Sequence, residues 1–168
     1  MKNIILTGMP GAGKSTVGVV LAKKIGCSFI DTDLIIQEQQ KMLLYEIIRK
    51  NGLEAFKQME NKINASIQAD HTVIATGGSV IYGKEAMGHF QSIGSIFYLK
   101  LGYQEIEKRV GNLEQRGVAM PSGCSLKELY EERAPLYEKY ANFTIDCHNK
   151  TIREITEEIA RIYNASYK

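Results

Sequence analysis

A phosphate-binding motif lies near the first residue of the chain. Residues 8–16 read Gly-Met-Pro-Gly-Ala-Gly-Lys-Ser-Thr, which fits the pattern G-x-x-x-x-G-K-[ST] at every position. Glycines keep side chains away, so consecutive backbone N–H groups converge on phosphate oxygens while the following helix presents its positive end to the same anion. The residues predicted to bind a nucleotide here are Gly11, Ala12, Gly13, Lys14, Ser15 and Thr16.

Two side chains of this motif have a predicted chemical role. In loops of this type the lysine reaches the β- and γ-phosphates of ATP, and the hydroxyl residue after it holds Mg²⁺. Lys14 is therefore predicted to be catalytic and Ser15 to be a metal ligand. ATP and Mg²⁺ follow as the expected cofactors.

Two acidic residues end the second apolar run of the chain, which closes with Asp31-Thr32-Asp33. On an extended strand, residues two apart point to the same side, and open parallel sheets bind ligands beyond the carboxyl ends of their strands. Both carboxylates are therefore expected to face the phosphate loop. Asp31 could hold a water of the Mg²⁺ shell, and Asp33 could orient an attacking hydroxyl or accept its proton. Alternatively, Asp33 caps the next helix.

Small residues end the third apolar run, where residues 75–79 read Ala-Thr-Gly-Gly-Ser. Two successive glycines at the end of a strand let the backbone approach a bound molecule closely, although a tight turn would use the same residues. Between the second and third runs, Lys57 and Glu60 share a helix face at i and i+3. That spacing alone indicates a surface ion pair.

A long segment rich in turn-forming residues spans residues 111–123 and lies between two patterns typical of helices. Loops of this length in compact domains are usually functional. In a phosphoryl-transfer enzyme the expected function is a lid, which closes over ATP and expels water that would otherwise compete as the acceptor. A surface insertion without function is the alternative.

The elements that must position these residues follow an alternating pattern. Short β-rich runs are separated by longer helical patterns, at residues 4–7, 29–31, 73–75, 96–99 and 144–146. Such alternation indicates a five-stranded parallel sheet covered by helices on both faces, hence a three-layer α/β/α fold. Capping-box patterns predict two late helices, which begin after Ser125 and Thr151. The whole chain, residues 1–168, fits one domain.

Composition excludes several classes of protein. A hydrophobic fraction of 44% and a charged fraction of 24% are ordinary for a globular protein, and a net charge of +2 is too small for a nucleic-acid-binding surface. Three cysteines without metal-ligand spacing argue against a disulfide framework or a zinc site. No apolar run could span a membrane, and the chain reaches its first strand without a signal-peptide pattern. A cytoplasmic location is expected, with a small molecule as the partner.

Together these motifs resemble the shikimate kinase family, P-loop enzymes similar to nucleoside monophosphate kinases, over essentially the whole chain. The family's Asp-x-Asp matches residues 31–33, its Phe-Arg-x-x-Glu aligns with residues 56–60, its triple glycine with residues 77–79, and its Arg-x-Pro-x-Tyr with residues 133–137. The resemblance implies transfer of the γ-phosphoryl group of ATP to a ring hydroxyl of shikimate, giving shikimate 3-phosphate and ADP in aromatic amino acid biosynthesis.

The resemblance also implies roles for individual residues. Two family arginines seven apart match Arg109 and Arg116, which would flank the adenine and touch the transferring phosphate. Arg116 thereby joins Lys14 and Asp33 as a catalytic residue. The acceptor-binding residues implied by position are Asp33, Lys57, Gly78 and Arg133.

Three positions depart from the family pattern: lysine replaces arginine at 57, serine replaces the third glycine at 79, and Gly117 stands where a proline normally follows the lid arginine. A guanidinium grips a carboxylate through two parallel bonds, whereas an ammonium acts as a point charge. Because two of the departures fall on the acceptor side, a kinase for a different small hydroxy acid or polyol is one alternative. A nucleotide-binding module without catalysis is the other.

Overall fold

A computed structural model of the protein describes residues 2–111 and 117–166. It contains one parallel sheet whose strand order is β2-β3-β1-β4-β5. The strands are β1 (Asn3–Thr7), β2 (Ser28–Asp31), β3 (Thr72–Ala75), β4 (Gly94–Lys100) and β5 (Phe143–Asp146). All five predicted strands are confirmed, each beginning one or two residues earlier than expected.

Helices cover both faces of the sheet, so the predicted three-layer α/β/α fold is confirmed. The helices are α1 (Lys14–Ile25), α2 (Thr32–Gln40), α3 (Leu44–Asn51), α4 (Leu53–Ala65), α5 (Lys84–Ile93), α6 (Tyr103–Val110), α7 (Leu126–Tyr140) and α8 (Ile152–Ser166), with a short 3₁₀ turn at Val80–Tyr82. Helix α1 packs with α8 on one face of the sheet, and α4, α5 and α7 lie on the other. Both predicted capping boxes are present, at Ser125 and Thr151.

The strand order places the functional motifs together. Chain order reverses beside β1, because β1 lies between β3 and β4, and ligands of doubly wound sheets bind at such a switch point beyond the carboxyl ends of the strands. The phosphate loop follows β1, the acidic motif follows β2, and the glycine pair follows β3. Three adjacent strands therefore deliver the three predicted motifs to one edge of the sheet.

Burial explains why the central strands are apolar. Every residue of β1 and β3 is buried, as is β4 up to its last residue, while β2 and β5 at the edges are partly exposed. A second apolar cluster lies apart from the sheet, where Phe56 and Ile63 of α4 meet Ile36, Ile47 and Ala119. This cluster supports one side of the site described below. Among the described helices, none combines the length and apolar character of a membrane span.

Candidate active site

A polar cavity of about 530 Å³ opens at the carboxyl edge of the sheet. The phosphate loop, the start of α2, the glycine pair and the segment after residue 116 surround it. Its lining includes Gly11, Gly13, Lys14, Ser15, Thr16, Asp33, Glu60, Gly77, Gly78, Ser79, Arg109 and Arg133. The structure thus brings most of the predicted site residues to one cavity.

The Lys14 ammonium lies within the phosphate loop. It is 8% exposed, and its Nζ donates hydrogen bonds to the carbonyl oxygens of Gly8 at 2.8 Å and Met9 at 3.0 Å. Burial lowers the pKa of Lys14 to about 8, although the nearby carboxylates of Asp33 and Asp31 oppose that shift. A buried ammonium held by neutral carbonyls is well suited to exchange them for phosphate oxygens.

Ser15 and Asp31 form a pair of oxygen ligands beside this loop. The Ser15 hydroxyl donates to Asp31 Oδ2 at 2.6 Å, which joins the start of α1 to the end of β2. Hydroxyl, carboxylate and water oxygens are the ligands that Mg²⁺ prefers, and Mg²⁺ is usually bound by one or two protein groups together with substrate phosphates. These two side chains therefore fit the metal role predicted for them.

The geometry of the acidic motif differs from the prediction. β2 ends at Asp31, and Thr32 already begins α2, so Asp31 and Asp33 do not share one side of an extended strand as expected. Asp31 caps the helix by accepting a hydrogen bond from the Asp33 N–H at 3.0 Å, so the capping residue is Asp31 and not Asp33. Asp33 faces the cavity from the first turn of α2. Burial raises its pKa to about 6; Asp31 adds to the shift and Lys14 opposes it.

The glycine pair allows the close approach that the sequence predicts. A Cβ built on Gly77 would lie 2.5 Å from Glu60 Oε1 and 2.7 Å from Asp33 Oδ1, and one on Gly78 would lie 3.1 Å from an Arg133 nitrogen. The Gly78 carbonyl accepts a hydrogen bond from Tyr137 Oη at 2.5 Å. Side chains from α2, α4 and α7 therefore crowd onto this turn, and any larger residue would displace them.

Glu60 is a site residue that the sequence analysis missed. The expected surface ion pair with Lys57 is wrong: Glu60 is 2% exposed and its Oε2 accepts a hydrogen bond from Ser79 Oγ at 2.5 Å. Burial raises the pKa of Glu60 to about 7, and the Ser79 hydrogen bond opposes that shift. The signal was present, because Glu60 lies four residues after Phe56 on the buried face of α4.

We expect the protonation of Glu60 to make stability depend on pH. Between pH 4.5 and about 7 the folded protein keeps a proton on Glu60 that the unfolded chain has lost, so the free energy of unfolding falls as pH rises through this range. Glu60→Gln should remove about 3 kcal/mol of this decline. Urea unfolding at pH 5, 6, 7 and 8 measures it. Glu38→Gln, at an exposed position, is the control; equal pH dependence in wild type and Glu60→Gln would contradict the assignment.

Arg133 is a buried guanidinium without a negatively charged hydrogen-bond partner among the described residues. It is 1% exposed, donates to the carbonyl of Ala119 and, through Nε, to the Tyr82 hydroxyl at 3.4 Å. Burying a charge is costly unless it is paired. Because Arg133 lines the cavity, an anionic group bound there would supply that pairing.

Lys57 lies beside the cavity but is not part of its wall. Its Nζ is 3.3 Å from Glu54 Oε1 and 4.5 Å from the centroid of the Tyr82 ring. The structure therefore brings together Asp33, Gly78 and Arg133 of the predicted acceptor set, and leaves Lys57 at the edge. The ion pair that Lys57 makes is with Glu54, at i−3.

The predicted lid, residues 111–123, is described only in part, because residues 112–116, which include Arg116, lie outside the described residues. Gly117, Val118 and Ala119 line the cavity, and Ala119 packs in the second apolar cluster. Gly117 has a φ of +65° and a Cβ there would lie 2.5 Å from Leu44, so glycine is needed here and proline, with φ fixed near about −65°, could not adopt this conformation. Arg109 borders the cavity from the end of α6.

Comparison with known proteins finds relatives of this chain both by sequence and by fold. The family profile described as "Shikimate kinase" matches residues 10–164. The shikimate kinase of Caldanaerobacter subterraneus subsp. tengcongensis is 38% identical over 167 residues, which are 97% of this chain and 96% of that protein. That of Bacillus cytotoxicus is 34% identical over 166 residues, 98% and 100% of the two chains. The solved structure of the Acinetobacter baumannii shikimate kinase in complex with shikimate has a TM-score of 0.89 at 27% identity, covering 99% of this chain and 95% of that one.

Proposed function

This chain belongs to the shikimate kinase family, and we propose that it transfers the γ-phosphoryl group of ATP to a hydroxyl group of shikimate, giving shikimate 3-phosphate and ADP. The observation that carries the proposal is the pairing, in one cavity, of a phosphate loop with the buried guanidinium of Arg133 and the carboxylate of Asp33. Shikimate has a carboxylate that Arg133 can bind and ring hydroxyls that Asp33 can contact. Residues 1–168 act as one kinase domain.

On the nucleotide side, the backbone of residues 11–16 surrounds the phosphates and Lys14 neutralises charge on the transferring group. To do so, Lys14 exchanges the carbonyls of Gly8 and Met9 for phosphate oxygens. Ser15 and Asp31 would hold Mg²⁺, directly and through a water. The ion held there would supply positive charge that offsets the negative charge developing during the transfer.

On the acceptor side, Asp33 orients the attacking hydroxyl and takes up its proton, since a carboxylate within hydrogen-bond reach of a hydroxyl serves as a general base. Arg133 and the backbone of Gly78 hold the rest of the acceptor, with Arg133 bound to the carboxylate. Placement of the two substrates and neutralisation of charge account for most of the expected catalysis. Lys57 adds a second positive charge from the edge of the cavity.

We assign Arg109 to the adenine end and Arg116 to the transferring phosphate, with residues 111–123 as a lid that excludes water. The packing of Gly117 and Ala119 against the cavity supports the lid. The reaction is placed in the cytoplasm, where ATP is available.

The proposal is tested by release of ADP from ATP and Mg²⁺ with a panel of acceptors: shikimate, other small hydroxy acids and polyols. Release that depends on shikimate supports it. Release that depends only on another acceptor shows a kinase of different specificity, and nucleotide binding without acceptor-dependent release shows a binding module.

Substitutions of Lys57 test whether this residue binds the carboxylate of the acceptor. With shikimate as substrate, Lys57→Ala should raise the KM for shikimate about tenfold while the KM for ATP is unchanged, because a charge–carboxylate contact is lost. Lys57→Arg should hold or lower that KM, because a guanidinium restores a two-bond grip. Steady-state kinetics measures both. If Lys57 only pairs with exposed Glu54, neither variant will change the kinetics, and the assigned carboxylate role is wrong.

A further inference from the structure

The aromatic ring of Tyr82 lies against two cations at the acceptor end of the site. Lys57 Nζ is 4.5 Å from the ring centroid and the guanidinium carbon of Arg133 is 5.4 Å from it. Both distances fall within the range of a cation–π contact, about 6 Å. Tyr82 closes the 3₁₀ turn Val80–Tyr82, which directly follows Ser79 of the cavity wall.

The ring is the better anchor for Lys57. Its ion-pair partner Glu54 has a side chain 80% exposed, whereas the Lys57 side chain is 22% exposed. Exposed ion pairs contribute little and are screened by salt, and the four-carbon stem of lysine is flexible. A ring face that covers the ammonium restricts that freedom, so Tyr82 fixes where the Lys57 charge lies.

The hydroxyl of Tyr82 makes only a long, weak hydrogen bond with the second cation. It accepts a hydrogen bond from Arg133 Nε at 3.4 Å and donates its own proton to the carboxylate of Glu132. Arg133 also donates a hydrogen bond to the Ala119 carbonyl, and its guanidinium carbon lies 5.4 Å from the centroid of the Tyr82 ring. Two like charges near one ring repel each other, and a carboxylate bound to both of them would offset that repulsion.

We propose that Tyr82 is a positioning residue for the acceptor carboxylate: its ring holds the Lys57 ammonium beside the Arg133 guanidinium, so that the two cations grip one anionic group. The inference rests on the proposed function, and it explains how a lysine can serve at position 57. A guanidinium is planar and can donate two parallel hydrogen bonds to a carboxylate, whereas an ammonium is a point charge on a flexible stem whose position must be fixed by neighbouring groups. The ring of Tyr82 fixes the position of the Lys57 ammonium.

Tyr82→Leu keeps an apolar side chain but removes the ring, and should raise the KM for shikimate about fivefold, with the KM for ATP unchanged. Tyr82→Phe keeps the ring and should stay within about twofold of wild type. In a Lys57→Ala background, Tyr82→Leu should add less than it does alone, because it acts partly through that lysine. Tyr140→Leu is the matched control, since it removes the contact between Lys139 and Tyr140, 5.6 Å apart, which lies outside the cavity lining.

The positioning role is overturned if Tyr82→Leu leaves the KM for shikimate unchanged, raises both KM values equally, or adds in full to Lys57→Ala. Equal losses in Tyr82→Phe and Tyr82→Leu also overturn it, because the hydroxyl and not the ring would then carry the effect. Wild-type protein without shikimate-dependent ADP release refutes the proposed function itself. Active wild type with an unaltered Tyr82→Leu refutes only the role of Tyr82.

Discussion

Lys14→Ala is expected to lower the turnover number at least about a hundredfold while the fold persists. The ammonium of Lys14 lies buried within the loop, bound to the carbonyls of Gly8 and Met9, and it is poised to meet the negative charge that grows on the transferring group. Burial lowers the pKa of Lys14 to about 8, so keeping this ammonium charged within the loop costs free energy. Removing the side chain therefore costs little stability but removes transition-state stabilisation.

Initial rates of ADP release with saturating ATP and acceptor measure this loss, and circular dichroism checks the fold. Lys23→Ala is the matched control, because Lys23 is an exposed lysine in the last turn of the same helix. Its turnover should equal that of wild type. Near-wild-type turnover of Lys14→Ala with any acceptor would refute the catalytic assignment of Lys14.

The fold was predictable because local and global signals agree. Apolar runs bounded by turn residues marked all five strands, and their alternation with helical patterns implied a parallel sheet. The strand order and the pairing register were not predicted, since they depend on how helices pack against the sheet and not on any single run. Boundaries differed by one or two residues because pairing extends β4, for example, to Gly94 opposite Asn3.

Site residues were predictable where a local sequence motif determines the backbone conformation, and were not predictable where tertiary packing determines the environment of the side chain. The phosphate loop places Lys14 and Ser15 directly. Glu60 carries a charge that suggests solvent, yet the packing of α4 buries it against Ser79. Similarly, the need for glycine at 117 arises from α3, whose Leu44 is far away in sequence. Residues distant along the chain set both environments.

Asp33→Asn is expected to reduce the turnover number about 10²- to 10³-fold, with the KM for ATP little changed. Asn has nearly the shape of Asp and can still accept a hydrogen bond, but it cannot take up the proton of the attacking hydroxyl. Asp33 lies on the first turn of α2, where Asp31 caps the helix and fixes the backbone of residue 33, so the substitution should leave the geometry intact. The loss should therefore fall on the chemical step.

The measurement compares kcat and both KM values of Asp33→Asn with those of wild type and Asp70→Asn, which changes an exposed aspartate before β3 and should have no effect. A fall in kcat without a rise in the KM for ATP supports proton transfer or orientation by Asp33. An unchanged kcat with a raised KM for shikimate would show that Asp33 binds the acceptor without assisting the reaction. Because Asp33 interacts electrostatically with Lys14, the double variant Asp33→Asn/Lys14→Ala should lose less turnover than the product of the two single losses, as expected for groups that act in the same reaction step.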